Sequence, residues 1–139
     1  MTTLVQTYVE GLRAELIAAP GFPAEVESSP VRASTRQRPQ VVTLLLGLET
    51  VADGSISRVN RAREVHLLVH TAGEDHIELS ESVFEAAHPL VMGFSAPGIV
   101  GIQELRTDEP KYANGDLLRQ VVTRRYLITY QTDEHSLSE

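Results

Sequence analysis

The sequence contains no cysteine, so it can build neither a disulfide bond nor a thiolate metal site. It also has no apolar run near the roughly 20 residues that a membrane span requires. Its first residues, MTTLVQTYVEGLRAEL, mix acidic with apolar side chains and lack a basic start, which is not typical of a signal peptide. These absences predict a protein that is made in the cytoplasm and has no membrane segment.

Positive charge and aromatic rings are both scarce. Lysine and arginine total 12 against 19 acidic residues, the formal net charge is −7, and aromatic residues make up 5% of the chain. Proteins that grip nucleic acid broadly need clustered cations, often interleaved with aromatic rings. The composition therefore disfavours a nucleic-acid-binding protein.

The common catalytic signatures are missing as well. The sequence has no phosphate-cradling glycine loop, no GxSxG and no HExxH. The acidic pairs Asp108–Glu109 and Glu81–Glu85 are typical of solvated charge in a turn and on a helix face. We therefore expect no enzyme activity and no cofactor.

What is present indicates one domain of mixed structure. With 139 residues and 42% apolar side chains, the chain is long enough to bury a core. Residues 1–132 are predicted to form a single α+β domain, followed by a polar tail over 133–139. Apolar residues at helical spacing predict a helix that starts after Thr2 or Thr3 and ends at Pro20. This stripe comprises Leu4, Val5, Tyr8, Val9, Leu12, Leu16 and Ile17.

A second helix is predicted over residues 75–92. Asp75 and Glu78 can form a capping box at its start, and Pro89 is expected to bend its last turn. Leu79, Val83, Phe84, Ala87, Leu90 and Val91 form its apolar side.

Strands are predicted at 41–49, 64–71, 98–107 and 117–132, with a shorter one near 24–28. Residues 41–49 are apolar on both faces, which favours a central strand. Turn signals at Asp53-Gly54 and Asn114-Gly115 predict hairpins. The result is a mixed or antiparallel sheet of about four to five strands, with two helices packed on one face and a long C-terminal β-hairpin.

Two histidines, His66 and His70, stand four residues apart and raise the question of a metal site. The stretch EVHLLVHT alternates with period two, as a strand does. On a strand their positions lie about 13 Å apart, too far for one zinc ion, which needs each nitrogen at about 2 Å. No metal site is predicted.

The C-terminal half carries a series of segments that resembles a known family. SVFEAAHPLVM is followed by GIVGIQELRT, the acidic turn DEPKYANGD and a strand ending in RRYLITYQT. This series resembles the tail terminator proteins of long-tailed bacteriophages, the minor tail protein U family, and related tail-completion proteins. The likeness extends over most of the chain in layout and is most specific from about 75 to 132.

The resemblance implies a structural role in a virion. Such proteins close the tail tube with a homohexameric ring at its head-proximal end, and they contact the tail tube protein and the head–tail connector protein. DNA passes the lumen without specific binding, which an acidic ring would favour through repulsion. The alternative is another head–tail connector or baseplate component of a phage-like particle.

A closed ring of identical chains needs two different contact surfaces on each chain. We expect one in the hairpin segment 50–63 and one in the proline-rich arm at 20–40, with the acidic turn as an electrostatic complement. The alternative for residues 20–40 is a solvated loop. The candidate residues are Arg58, Arg61 and Arg63 in the hairpin, Arg32, Arg36 and Arg38 in the arm, and Asp108 and Glu109 in the turn. Arg124 and Arg125 are expected on opposite faces of their strand. One is expected to cover the sheet edge or to pair with an acid, and the other to face a subunit.

Overall fold

The computed structural model describes residues 2–29, 40–54, 56–113 and 116–139. In chain order, its elements are α1 (Leu4–Ala18), β1 (Glu25–Val26), β2 (Gln40–Asp53), β3 (Arg58–Ala72), α2 (His76–Met92), β4 (Ile99–Thr107), β5 (Lys111–Ala113) and β6 (Asp116–Asp133). The described strands form one sheet in the order β1-β2-β3-β6-β4, and β5 also pairs with β6. Because β1 is parallel to β2 and the other pairs are antiparallel, the sheet is mixed. The predicted α+β class is confirmed.

The prediction that the 41–49 strand is central was wrong. β3 and β6 occupy the middle of the sheet, whereas β2 lies next to the two-residue strand β1, which pairs only with Val41 and Val42. Both faces of β2 are nevertheless buried at its start, where Val41, Val42 and Thr43 are each at most 1% exposed. Burial on both faces of a strand therefore does not require a neighbour along its whole length.

The long C-terminal hairpin is confirmed, and one of its arms is interrupted. β4 and β5 both run antiparallel to β6 along the same edge, with Thr107 opposite Arg124 and Lys111 opposite Val121. Between them the backbone N–H of Asp108 still donates to the carbonyl of Thr123, at 2.8 Å. Part of the predicted turn is thus strand β5, which brings the described sheet to six strands instead of four or five. The predicted turn residues Asn114 and Gly115 lie outside the described residues.

Both helices pack on one face of the sheet, as expected from their apolar stripes. α1 buries Val5, Tyr8, Val9, Leu12 and Leu16, and α2 buries Val83, Phe84, Ala87 and Val91. They meet alternating residues of the central strands, among them Val65, Leu67, Val69, Val122, Tyr126, Ile128 and Tyr130. Ile17 departs from the predicted stripe, because its side chain is 64% exposed. We call this covered side the helix face and the other side the open face.

The two helix starts differ in their capping. Thr3 forms a capping box with Gln6, in which each residue accepts a backbone hydrogen bond from the other. The capping box predicted at Asp75 and Glu78 is not formed, since the Asp75 side chain makes no capping hydrogen bond. α2 begins instead with the buried His76, whose ring nitrogens contact the Thr71 hydroxyl at 2.7 Å and the Leu117 carbonyl at 2.9 Å. These contacts join the start of α2 to β3 and β6.

The polar tail folds back onto the domain. The backbone N–H of Leu4 donates to the carbonyl of Leu137 at 2.9 Å, and that of Glu134 donates to the carbonyl of Ser57 at 2.9 Å. The tail therefore lies beside the start of α1 and the turn that joins β2 to β3.

Candidate interface site

Two of the predicted hairpin arginines converge on one carboxylate at the helix face. Glu49 on β2 lies opposite Arg63 on β3, and Arg61 lies opposite Tyr130 on β6. The Glu49 carboxylate is 3.7 Å from Nη1 of Arg61 and 3.8 Å from Nη1 of Arg63, and it accepts a short hydrogen bond from the Tyr130 hydroxyl. We call Glu49, Arg61, Arg63 and Tyr130 the Glu49 cluster. It joins three neighbouring strands through one acidic side chain.

The side chains of the Glu49 cluster are largely shielded from solvent, but not every hydrogen-bond donor in the cluster has a partner among the described residues. The side chains of Arg61 and Arg63 are 13% and 26% exposed. Arg61 Nε donates to the Thr132 hydroxyl at 2.9 Å, whereas Nε of Arg63 is buried with no hydrogen-bond partner among the described residues. Burial, reinforced by the Glu49 carboxylate that accepts its proton in a hydrogen bond, raises the pKa of Tyr130 well above its ordinary value. The phenol therefore stays protonated and remains a donor to Glu49.

Arg58, the third hairpin arginine, stands apart from the Glu49 cluster. It lies at the start of β3 opposite Asp133, and its Nη2 donates to the Gln131 carbonyl at 3.3 Å. The hairpin segment therefore presents its arginines on different faces, because successive strand residues alternate in direction. The arm arginines Arg32, Arg36 and Arg38 lie outside the described residues.

A second charge cluster lies on the open face and contains one residue of the predicted acidic turn. Asp108 holds Arg125 with two contacts, 2.9 Å to Nε and 2.8 Å to Nη2, and accepts a third at 3.0 Å from Nε of Arg106. Nη1 of Arg125 also lies 3.2 Å from the Glu64 carboxylate. We call Glu64, His66, Asp108 and Arg125 the Arg125 cluster. Glu109, the next residue of the turn, is exposed and takes no part in it.

The pKa values of the Arg125 cluster follow from these contacts. Hydrogen bonds from Arg125 lower the pKa of Asp108 below its usual range. Hydrogen bonding to His66, together with that to Arg125, lowers the pKa of Glu64. Hydrogen bonding to Asp108 raises the pKa of Arg125 further. Two carboxylates therefore stay ionised around one guanidinium, whose positive charge is compensated inside the chain.

His66 and His70 lie on the open face at separate places. His66 Nε2 is 3.0 Å from Glu64 and 3.1 Å from Nη1 of Arg125, whereas His70 Nε2 is 3.4 Å from the Thr43 hydroxyl. Burial and the charge of Arg119 lower the pKa of His70. No group of three or more histidine or acidic side chains in the described ranges is arranged to hold a metal ion.

The prediction that Arg124 and Arg125 point to opposite faces is confirmed, and Arg125 is the one paired with strand and turn acids on the open face. Arg124 lies on the helix face, where its guanidinium stacks 4.5 Å over the Phe84 ring and sits 3.6 Å from Glu104. Its neighbour His88 contacts the Tyr126 hydroxyl at 2.8 Å. Burial raises the pKa of Tyr126 to about 12. This cleft beside α2 is open to solvent and is lined by side chains of both charge signs, among them Glu81, Glu85 and Arg124.

The structure thus assembles some of the predicted residues and separates others. Arg61 and Arg63 share one carboxylate, and Asp108 is paired within its own chain, while the hairpin arginines and the acidic turn lie at different levels of β6. Glu49, Glu64 and Tyr130 were missed by sequence reasoning. Glu49 and Tyr130 are 81 residues apart in sequence, and Glu64 contacts Arg125, 61 residues away, as well as the nearby His66. The only available signal was an acidic residue within each strand, Glu49 in VVTLLLGLE and Glu64 in EVHLLVHT.

Comparison with known proteins shows a likeness of fold to a solved structure. No family model matches the sequence, and no curated protein matches it. A solved chain described as "Virion of native gene transfer agent (GTA) particle" shares the fold. The two superpose with a TM-score of 0.63 over 89% of this chain and 98% of that chain, at 16% sequence identity. The two proteins therefore have the same overall fold despite little sequence likeness. None of the described helices is long and apolar enough to cross a membrane.

Proposed function

We propose that this chain is a structural protein of a phage-like virion, and that it caps the tail tube as a ring, ends tail polymerisation and provides the surface that joins the head. The observation that carries the proposal is the shared fold with a chain of the GTA virion, which extends over nearly the full length of both chains. A match that leaves out so little of either chain supports an equivalent structural role for the two chains.

The likeness to tail terminator proteins supports the finer role. It was drawn from residues 75–132, and these residues form α2 and the whole β4–β5–β6 arm of the sheet. The segments that carry the sequence resemblance are therefore one contiguous part of the fold. The expected partners are further copies of this chain in a homohexameric ring, the tail tube protein and the head–tail connector protein. The expected location is the head-proximal end of the tail, after assembly in the host cytoplasm.

Electron microscopy of particles produced without this chain tests the proposal. Loss of a tail terminator should give overlong tails and heads without attached tails, and complementation with the wild-type gene should restore tails of uniform length. Normal virions in the absence of the chain would refute both the capping role and the joining role.

A second candidate is a different head–tail connector or baseplate component. It is retained because the description of the GTA neighbour names the whole virion and no particular position within it. Antibody labelling of intact particles separates the two candidates. Label at the head–tail junction supports the terminator or a connector, and label at the far tip of the tail supports a baseplate protein. Overlong tails in the deletion then distinguish a terminator from a connector.

A further inference from the structure

We propose that neighbouring copies of this chain join edge to edge, with β2 of one copy pairing antiparallel to β4 of the next, so that the sheet continues from subunit to subunit. The inference rests on the proposed ring and adds the surface through which the ring is built. It follows from the edges of the sheet, the directions of the strands and the side chains that the two edge strands expose.

On both sides of the sheet, the described part of the chain leaves strand backbone without a neighbouring strand. On one side, the described partner of β2 is β1, which reaches only to Val42, so the remainder of the 14-residue strand has no described neighbour there. On the other side, the 9-residue strand β4 pairs with β6 and has no described strand beyond it. Unpaired N–H and C=O groups along a strand are a template for another strand.

The directions of the strands allow the sheet to continue. β2, β3, β6 and β4 alternate in direction because each neighbouring pair is antiparallel. A second copy placed with its β2 beside β4 of the first therefore continues the same alternation. The contact joins two different edges, and such heterologous contacts are the kind that can close into a ring.

Both edge strands expose apolar side chains, which is unusual for an edge that faces only water. Leu48 and Val51 on β2 are 68% and 62% exposed, and Val100 and Leu105 on β4 are 65% and 40% exposed. Pairing of the two edges would cover part of these side chains and remove apolar surface from water.

Bulges on the two edges argue for a specific partner. The register shifts between Leu46 and Glu49 in β2, and at two places in β4. A bulge bends its strand and strengthens the local twist, which hinders pairing with an arbitrary flat strand. The proposed contact therefore requires that the bends of the β2 and β4 edges fit each other, and curvature of this kind is needed where a sheet is to close.

Single lysine substitutions test the inference by sedimentation velocity or light scattering of the purified chain. Val51→Lys damages the β2 edge and Leu105→Lys damages the β4 edge. Each variant alone should lose the assembled species and sediment as a monomer. An equimolar mixture should give dimers and nothing larger, because only one intact β2 edge and one intact β4 edge remain to pair. Ile77→Lys is the matched control, since Ile77 is 81% exposed but lies on α2, and this variant should assemble like the wild type.

Each alternative outcome contradicts the inference in a recognisable way. If both variants still form rings, the edges are not the contact, although the capping role still stands on the deletion phenotype. If Leu105→Lys loses assembly and Val51→Lys does not, two β4 edges meet in a symmetric dimer. A wild-type chain that stays monomeric at about 1 mM, where even weak self-association is populated, also overturns it. Far-UV circular dichroism and thermal melting of every variant separate loss of pairing from loss of fold.

Discussion

On the open face, the single carboxylate of Asp108 contacts two arginines, Arg106 and Arg125. Asp108 follows β4, yet its carboxylate holds Arg125 of β6, and Arg125 in turn reaches Glu64 of β3. The sequence placed Asp108 in an exposed acidic turn and assigned it no partner in its own chain. The structure shows that Asp108 is held by two arginines, whereas the adjacent Glu109 is exposed.

We expect Asp108→Asn to lower the melting temperature by a few degrees at pH 7. Arg125 holds the pKa of Asp108 below its ordinary value of about 3.9, so the stabilisation is complete above that pH and is lost as the pH falls through the lowered pKa. The difference between wild type and variant should therefore shrink in melts recorded below about pH 4. Glu109→Gln, the matched control, should melt like the wild type at every pH. A gap for Asp108→Asn that is the same at pH 3 and pH 7 would show that the charge is not its cause.

Gly47 has a packing role that its sequence context does not reveal. A Cβ atom at this position would lie 2.7 Å from Cε1 of His66 and 3.1 Å from Cβ of Glu64, so the imidazole would have to leave its place in the Arg125 cluster. We expect Gly47→Ala to cost about 1–3 kcal/mol in urea denaturation, as is usual when extra volume is forced into a packed site.

Two further variants test the cause of that loss. Gly101→Ala is the control on β4, because a Cβ there meets no atom within 4 Å, and its stability should not fall. Adding His66→Ala to Gly47→Ala should recover part of the loss, because it removes the clashing ring. Strictly additive costs would show that the two residues do not interact.

Residue-level expectations succeeded where strand alternation alone decides them. The opposite faces of Arg124 and Arg125, and the separation of His66 from His70, follow from a period of two. Glu49 could not be matched with Tyr130 in this way, because 81 residues separate them and only the pairing of β2, β3 and β6 brings them together.

At the scale of whole elements, helix α1 offers a direct test of how the helix face is held. Leu12 is fully buried and Ile17 is 64% exposed on the same helix. Leu12→Ala should lower the free energy of unfolding by about 2–5 kcal/mol, the range for a large buried side chain whose removal leaves a cavity. Ile17→Ala should change it by no more than about 0.5 kcal/mol, as for most surface substitutions. Equal costs in chemical denaturation would mean that the helix does not pack as described.

The helices and long strands were predictable from apolar periodicity, but the order of the strands in the sheet and the contacts between elements were not. Both helices and all four long strands follow from apolar spacing and turn residues. The position of β2 was mispredicted because apolar residues on both faces of a strand indicate only that both faces are buried. Such burial does not require a neighbouring strand along each edge. The capping box at Asp75 failed because His76 anchors the start of α2 through Thr71 and Leu117, which are contacts that no local pattern encodes.

For the molecule as an assembly, the interface assigned to the hairpin arginines remains a prediction. Arg61 and Arg63 already contact Glu49 within the chain, so their side chains are held in place and partly removed from water before any subunit contact forms. If they also reach a neighbouring subunit, the double variant Arg61→Ala/Arg63→Ala should weaken ring formation at least about tenfold in sedimentation experiments, as for arginines at interface hot spots.

Glu49→Gln provides the comparison for the double variant. It removes the carboxylate that the two arginines share but leaves both side chains in place, so its rings should persist. An intact ring in Arg61→Ala/Arg63→Ala would exclude these residues from the subunit contact. Loss of the ring in Glu49→Gln as well would indicate that the Glu49 cluster acts by shaping the hairpin.

The order of the strands has a consequence for how the chain acquires its fold during synthesis. β6 comes after the other described strands in chain order, yet it pairs with β3, β4 and β5 in the finished sheet. Before β6 has emerged, only the β2–β3 hairpin and its short partner β1 can pair among the described strands, so the two helices can cover only that part of the sheet. The nascent protein must therefore remain open, with β3 exposed to chaperones, and prematurely terminated products should be cleared by proteolysis.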